Sequence, residues 1–122
     1  ALCDTYRDAL KMVQIPCVLY TEEEFDILEE RIKILTIHSA KGLEFPIVFL
    51  VGLHNGTLPR RIRGWDDEEA GIELERNRNV MYVGMTRAAE ALYLVTSKRS
   101  PSSFLSEIGK VVRYEPFVGG KA

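Results

Sequence analysis

The sequence predicts an α/β domain with a mainly parallel sheet flanked by helices, and three patterns support this fold class. Residues 2–13 carry apolar side chains at helical spacing, and Pro16 ends that helix. Residues 46–51 form a continuous apolar run that starts at a proline and stops at Gly52, which is typical of a strand covered on both faces. Helical and strand patterns then alternate along the rest of the chain.

The other elements follow from local patterns in chain order. Residues 17–20 predict a short buried strand, and an acidic, exposed segment follows it at 21–31. Residues 31–37 predict a second strand that ends at polar residues, and a loop is expected from Gly52 to about Gly71. A helix is then predicted over 72–83, with Leu74, Val80, Met81 and Val83 facing inward. A short turn or helix start at Thr86 and a strand over 91–96 follow it. The last element is a helix over 104–108 that is capped by Pro101, Ser102 and Ser103.

The length and composition describe one soluble domain. The chain has 122 residues, of which 46% are apolar and 28% charged, and we expect a folded domain over 1–110 followed by a partly disordered arm over 111–122. Neither a membrane-spanning run nor a secretory signal is visible, so a cytoplasmic location is expected. The net charge of −2 argues against a protein that coats nucleic acid with its whole surface, so any DNA contact is local.

The cysteines and histidines do not predict a metal site. Cys3 and Cys17 are separated by a predicted helix, and neither His38 nor His54 stands at a metal-binding spacing from them. We interpret both cysteines as core or near-core thiols, and His54 as a surface residue in a turn.

Two segments place polar side chains directly against apolar strands or helices, where a packed core gains nothing from them. The first is Thr-Ile-His-Ser-Ala-Lys-Gly-Leu-Glu-Phe at 36–45, and the second is Tyr-Val-Gly-Met-Thr-Arg-Ala at 82–88. In the first, Gly42 permits a tight turn. A carboxylate at Glu44 can accept hydrogen bonds from a ribose, and Thr36, His38 and Ser39 can donate to phosphates. The alternative is a well-capped turn without a ligand.

Arg87 is the notable residue of the second segment. It follows Thr86 at a predicted helix start and, like His38, is expected at the carboxyl end of a strand, where ligands of parallel sheets bind. An arginine in such a place more commonly reaches into solvent or pairs with a nearby carboxylate. Both interpretations are open on this residue alone.

Taken together, the two segments resemble motifs V and VI of the UvrD/Rep-like superfamily 1 DNA helicases. The resemblance implies that Arg87 is an arginine finger for the γ-phosphate of ATP bound on a first motor domain. It also implies that Glu44, in the turn with Gly42, touches the sugar of the nucleotide. Thr36, His38 and Ser39 are then expected to face single-stranded DNA.

The sequence lacks a G-x-x-x-x-G-K-[ST] phosphate loop and an acidic pair that could hold Mg²⁺ after an apolar strand. The resemblance therefore implies a second RecA-like motor domain, with ATP and Mg²⁺ bound mainly by an absent N-terminal motor domain of the same protein. The full-length protein is expected to be an ATP-dependent 3′-to-5′ DNA helicase or translocase, and this fragment alone is expected to be inactive.

Two departures from the family pattern stand out. The run at 75–79, Glu-Arg-Asn-Arg-Asn, replaces the Glu-Glu-Arg-Arg that the family usually has before motif VI, with Glu75 and Arg78 as candidates for part of that role. The interval between Tyr20 and Thr36 is also too short for the helical subdomain that many members insert there.

Other functions stay open at this stage. The same motifs occur in the helicase parts of helicase–nuclease repair complexes, which is one alternative. The other is a non-catalytic RecA-like interaction module. A phosphate loop encoded upstream of this segment in the full-length reading frame would favour a helicase over the module. In the long loop, Trp65 either stacks a base or pins the loop to the domain. The arginines Arg60, Arg61 and Arg63 could steer DNA, although the acidic run at 66–69 offsets their charge.

Overall fold

The computed structural model describes residues 2–22, 26, 28–60, 64–113 and 115. These residues form helix α1 (Leu2–Met12), strands β1 (Cys17–Leu19), β2 (Ile32–Ile34) and β3 (Phe45–Leu50), helix α2 (Asp67–Met85), strand β4 (Ala88–Leu94) and helix α3 (Phe104–Glu107). They belong to two compact units, the first made of residues 1–48 and 82–91 and the second of residues 49–81 and 92–122. The described residues contain helices and parallel strands, which agrees with the predicted α/β class. The strands form two two-stranded sheets, β1 with β2 and β3 with β4, and not the one sheet that the sequence predicts.

Helix α1 ends before Pro16, as the sequence predicts. Gln14 adopts a left-handed backbone conformation with φ of 61°, which turns the chain out of the helix. The backbone N–H of Ile15 then donates to the carbonyl oxygen of Leu10 at 3.0 Å, which satisfies a carbonyl of the last helical turn.

Strand β1 forms the centre of the first unit. It pairs in parallel with β2, with Cys17 opposite Ile32, and α1 packs against it. All three residues of β1 are buried, and Val18 is fully inaccessible to solvent. The predicted strand over 31–37 is only partly formed, because β2 ends at Ile34 and the chain enters a turn at residue 37.

Strands β3 and β4 form a second parallel pair. In the first unit, the N–H of Phe45 at the start of β3 donates to the carbonyl oxygen of Arg87, just before β4, at 2.9 Å. In the second unit, the N–H of Val95, just after β4, donates to the carbonyl oxygen of Leu50 at the end of β3, also at 2.9 Å. The amino end of β3 therefore pairs beside the amino end of β4, and the carboxyl end of β3 beside the carboxyl end of β4, so the two strands are parallel.

The expectation that β3 is covered on both faces is wrong for this chain. Ile47 is 56% exposed and Phe49 is 63% exposed. Within the described residues β3 pairs with β4 alone, so the continuous apolar run correctly predicts a strand but not its burial. Phe49 instead stacks on Tyr93 of β4, with ring centroids 4.7 Å apart and planes 11° from parallel.

Helix α2 is longer than predicted and begins inside the segment assigned to a loop. It starts at Asp67 rather than Ile72, because Asp66 and Glu69 form a reciprocal cap. The Glu69 N–H donates to the Asp66 carboxylate at 2.8 Å, and the Asp66 N–H donates to the Glu69 carboxylate at 3.3 Å. Acidic side chains in a first turn also complement the partial positive charge of a helix start.

The buried face of α2 also differs from the prediction. Met81 is buried as expected, but Leu74 is 37% exposed. Glu73 and Asn77 are buried in its place, one helical turn apart. The polar contacts of these two side chains, rather than an apolar stripe, set which face of the helix turns inward.

The core of the second unit lies around Leu53, Phe104 and Leu105, all less than a tenth exposed. Side chains tie neighbouring loops to this core: the Thr96 hydroxyl donates to the carbonyl oxygen of Leu53 at 2.6 Å. The predicted helix over 104–108 is present over Phe104–Glu107. Its N-cap residue, Ser103, makes no side-chain cap hydrogen bond, and the Phe104 N–H donates instead to the hydroxyl of the preceding Ser102 at 3.2 Å.

Both cysteines are free thiols, with Cys3 half-buried and Cys17 buried, as the sequence predicts. Within the part of the chain that the structure describes, no helix is long and apolar enough to cross a membrane. Several predicted features fall outside the described residues: positions 114 and 116–122 of the arm over 111–122, positions 23–25 and 27 of the acidic segment, and Arg61 and Arg63.

Candidate functional site

The turn between β2 and β3 is built by hydrogen bonds among its own residues. The Ala40 N–H donates to the carbonyl oxygens of Thr36 and Ile37, both at 3.1 Å, and Ala40 itself is buried. The Leu43 N–H donates to the carbonyl oxygen of Ala40 at 2.9 Å, across Gly42. Gly42 has φ of 84°, and a Cβ there would meet nothing within 4 Å. The glycine is therefore needed for its backbone conformation and not for space, as the sequence predicts.

The side chains of this turn differ in whether their hydrogen-bond donors are already used within the turn. The Thr36 hydroxyl accepts the Ser39 N–H at 3.1 Å and donates its own hydrogen to the Ser39 hydroxyl at 3.0 Å. Thr36 therefore caps the turn. The hydroxyl hydrogen of Ser39 finds no acceptor within the described residues, and the side chain of His38 is exposed. Ser39, His38 and the exposed Lys41 can each donate to an external phosphate without breaking a side-chain hydrogen bond within the described residues.

The sequence predicts Arg87 at a helix start and at the carboxyl end of a strand, and both predictions are wrong. It follows the end of α2 and precedes β4. Its carbonyl oxygen accepts the N–H of Phe45, so it lies at the amino ends of both β3 and β4. The prediction was wrong because α2 continues to Met85, inside the second segment, so that Thr86 and Arg87 follow a helix and do not begin one.

The guanidinium of Arg87 is held by three neutral oxygen atoms. Nε donates to the carbonyl oxygen of Val83 at 3.0 Å, and Nη1 donates to that of Leu43 at 3.1 Å. Nη2 donates to the hydroxyl of Thr86 at 3.1 Å. Val83 lies in the last turn of α2, whose partial negative charge favours a cation. The contact with Leu43 joins the second segment directly to the turn of the first.

Arg87 keeps a positive charge that no carboxylate neutralises within the described residues. A guanidinium has five N–H groups, and the three contacts of Arg87 leave two of them without a partner there. The half-buried side chain is therefore both fixed in position and able to receive an anion. Glu44, next to Leu43 in sequence, is exposed and makes no ion pair with Arg87 in this part of the chain.

The structure thus brings the predicted site residues of the two segments into the first unit. Thr36 and Ser39 bond to each other, and the stretch from Gly42 to Glu44 meets Arg87 through the carbonyl of Leu43. Sequence reasoning missed the contribution of Thr86. A hydroxyl residue directly before an arginine at a helix end was the available signal.

Trp65 and Arg60 lie in the second unit. A cleft of about 290 Å³ is lined by Arg60, Trp65, Glu69, Ile72, Glu73 and Arg76. Arg60 lies 3.6 Å from the carboxylate of Glu73, while its own side chain is 57% exposed. Trp65 is half-buried beside this charged cluster, and base stacking remains a prediction.

Arg78 connects α2 to α3. Its Nε and Nη2 donate to the two carboxylate oxygens of Glu107 at 3.0 and 2.9 Å, and Nη1 bonds to Glu75. Its guanidinium also lies 5.4 Å from the centre of the Phe104 ring. The hydrogen bonds from Arg78 lower the pKa of Glu107, and those carboxylates raise the pKa of Arg78. These contacts give Glu75 and Arg78 a structural role within the second unit.

Comparison with known proteins identifies the family of this chain. The model of the UvrD-like helicase C-terminal domain family matches residues 4–99. A Leuconostoc citreum protein described as the ATP-dependent DNA helicase PcrA is 38% identical over 96 residues, which cover 70% of this chain and 12% of that protein. The protein of the same description from Bacillus subtilis strain 168 is 46% identical over 70 residues, covering 57% of this chain and 9% of the relative.

The Staphylococcus aureus COL protein of the same description is 41% identical over 92 residues, covering 66% of this chain and 12% of the relative. The chain therefore spans only 9 to 12% of the length of these relatives. The family match includes both segments of the site, 36–45 and 82–88, and most of the described elements. The chain belongs to the family of UvrD-like helicase C-terminal domains.

Proposed function

We propose that this chain is the C-terminal, RecA-like motor domain of an ATP-dependent 3′-to-5′ DNA helicase or translocase. In this proposal it completes an ATP site and a single-stranded DNA channel with an N-terminal motor domain of the same, longer protein. Family membership and the relatives described as ATP-dependent DNA helicases support it.

The observation that carries the proposal is the setting of Arg87. Transfer of the γ-phosphoryl group spreads negative charge over the oxygens of that group in the transition state. A planar cation that is already held in place stabilises this charge without reorganising. Arg87 is held by three neutral oxygens and has N–H groups to spare, whereas an arginine with a purely structural role is commonly paired with a carboxylate.

The turn beside Arg87 supplies the other proposed contacts. Glu44 is exposed next to the residue that Arg87 bonds to, and we assign it, with the tight turn at Gly42, to the sugar of the nucleotide. His38 and Ser39 are assigned to phosphates of single-stranded DNA, because both have donors available. Thr36 serves the same surface by capping the turn that presents them.

The Mg²⁺ ion that accompanies ATP is assigned mainly to the N-terminal motor domain. Within the described residues, no group of three His, Cys, Asp or Glu side chains is placed to hold a metal ion. Bound Mg²⁺ neutralises charge on the phosphates, and Arg87 adds a further positive charge from this side of the site.

Replacing Arg87 in the longer protein tests the proposal. Arg87→Ala should lower DNA-stimulated ATP turnover at least about a hundredfold, because an arginine finger contributes roughly 10³ to 10⁵ in rate. Arg87→Lys should restore little, since an ammonium is a point charge without the planar fork. Turnover is measured at saturating ATP and single-stranded DNA and expressed per folded molecule.

Stability must be measured on the same preparations, because the structure also gives Arg87 a structural contribution. Loss of its three hydrogen bonds should lower the free energy of unfolding by about 1 kcal/mol for each net bond. The melting temperature should fall accordingly. Arg99→Ala is the matched control, since Arg99 is exposed and makes no side-chain hydrogen bond or ion pair within the described residues. Unchanged turnover per folded Arg87→Ala molecule would contradict the proposal and favour a non-catalytic module.

A further inference from the structure

Thr86 lies between the end of α2 and the guanidinium of Arg87. Its hydroxyl donates to the carbonyl oxygen of Val83 at 3.0 Å and accepts from Nη2 of Arg87 at 3.1 Å. The same carbonyl accepts Nε of Arg87 at 3.0 Å. Two side chains thus share one of the carbonyls that a helix end leaves without an intrahelical partner.

The direction of these bonds is determined by chemistry. A carbonyl oxygen can only accept, so the single hydrogen of the Thr86 hydroxyl is used on Val83. Only the lone pairs of the hydroxyl oxygen then remain for Arg87, and a guanidinium can only donate. The three groups therefore have one consistent arrangement of hydrogen bonds. In it, the Nε–Nη2 edge of the Arg87 guanidinium donates to the Val83 carbonyl and to the Thr86 hydroxyl.

The site does not otherwise require a hydroxyl at this position. Thr86 is exposed, and the Val83 carbonyl that it bonds to also accepts Nε of Arg87, so that carbonyl has another partner besides the hydroxyl. Its branching at Cβ restricts the rotation of its side chain at the helix end, which lowers the entropy lost when the two hydrogen bonds form. These features are suited to holding a neighbouring side chain in one orientation.

We propose that Thr86 is a positioning residue for Arg87. It holds one edge of the guanidinium and leaves the unused N–H groups free for the phosphates of the nucleotide. This inference rests on the proposed function, because positioning matters only if Arg87 takes part in ATP hydrolysis. Thr86 itself touches no phosphate in this proposal and acts through Arg87.

The test compares Thr86→Val with Thr86→Ser in the longer protein. Valine keeps the branched shape and removes both hydrogen bonds, whereas serine keeps the hydroxyl. Thr86→Val should lower kcat between about tenfold and about a hundredfold with KM for ATP changed less than about twofold, because misplacement of a catalytic group mainly affects the transition state. Thr86→Ser should recover most of the rate. Thr57→Val is the matched control, since the exposed Thr57 side chain makes no hydrogen bond within the described residues.

A double variant separates this inference from the proposed function. In the Arg87→Ala background, Thr86→Val should have no further effect on kcat, because the group that it positions is gone. If Arg87→Ala lowers turnover but Thr86→Val alone does not, the positioning role is wrong and the proposed function stands. If Thr86→Val lowers only the melting temperature, or if serine fails to restore the rate, the positioning role is likewise wrong. If Arg87→Ala leaves turnover unchanged, both proposals are wrong.

Discussion

Asn77 connects α2 to the loop that precedes it, and it does so as a buried polar residue. Its side-chain oxygen accepts the backbone N–H of Arg60 at 2.7 Å. Its side-chain nitrogen donates to the carbonyl and the carboxylate oxygens of Glu73, both at 2.8 Å. Arg60 and Arg76 lie 3.6 and 3.5 Å from the same carboxylate. A buried carboxylate is tolerated here because donors surround it.

Replacement of Asn77 should destabilise the 122-residue chain. Asn77→Ala leaves the Arg60 N–H without its acceptor and removes a donor from Glu73, so we expect a loss of about 1–3 kcal/mol in the free energy of unfolding. Asn79→Ala is the control: Asn79 is exposed on the same helix, and both changes raise helix propensity equally. Chemical denaturation followed by circular dichroism measures both. Equal stabilities of the two variants would contradict a structural role for the Asn77 contacts.

Helix α2 is defined by contacts along its length. Its start is set by the cap between Asp66 and Glu69, and Thr86 and Arg87 follow its last residue, Met85. Between them, Arg78 ties the helix to α3 through Glu107. Apart from Thr86, each of these positions is a charged residue in the sequence, but only the folded chain shows which charge meets which partner.

The pairing of α2 with α3 should depend on pH. The Arg78 hydrogen bonds lower the pKa of Glu107 relative to the unfolded chain, so the pair stabilises the fold above the ordinary pKa of a glutamate. This stabilisation is lost as the pH falls through the lowered pKa of Glu107. Both side chains are more than a third exposed, so the effect should be modest.

Thermal unfolding of Glu107→Gln at several pH values tests this dependence. At neutral pH the variant should melt below the unaltered chain, and the difference should shrink at pH values below the lowered pKa of Glu107. Glu90→Gln is the control, since Glu90 is exposed and makes no ion pair within the described residues. A difference in melting temperature that stays constant from neutral to acidic pH would show that the charge of Glu107 is not the cause.

At the scale of the whole molecule, the chain supplies only part of the proposed motor. It spans 9 to 12% of the length of its PcrA relatives, and it leaves apolar strand residues such as Ile47 and Phe49 exposed. The first unit holds Arg87 and the turn at 36–44, while the sequence contains no phosphate loop. An arginine finger without the groups that hold the phosphates cannot complete the reaction.

We therefore expect the 122-residue chain by itself to show no ATP turnover above background. It should also bind ATP only weakly, because a single wall of the site offers few contacts. Labelled ATP with Mg²⁺ is titrated against the pure chain, and turnover is measured with and without single-stranded DNA. The longer protein serves as the positive control. Tight binding or clear turnover by the chain alone would contradict the division of the site between two motor domains.

The sequence by itself determined the fold class, the family resemblance and the candidate residues. The helical spacing of apolar residues predicts α1, and short apolar runs predict the strands. Gly42 predicts a tight turn because only glycine adopts a positive φ at little cost. The tertiary structure decided the start of α2, the exposure of β3 and the place of Arg87 after a helix rather than before one. It also decided that Thr86, Val83 and Leu43 hold that arginine. Such contacts join residues far apart in the chain or depend on where a helix ends, and local sequence patterns do not contain that information.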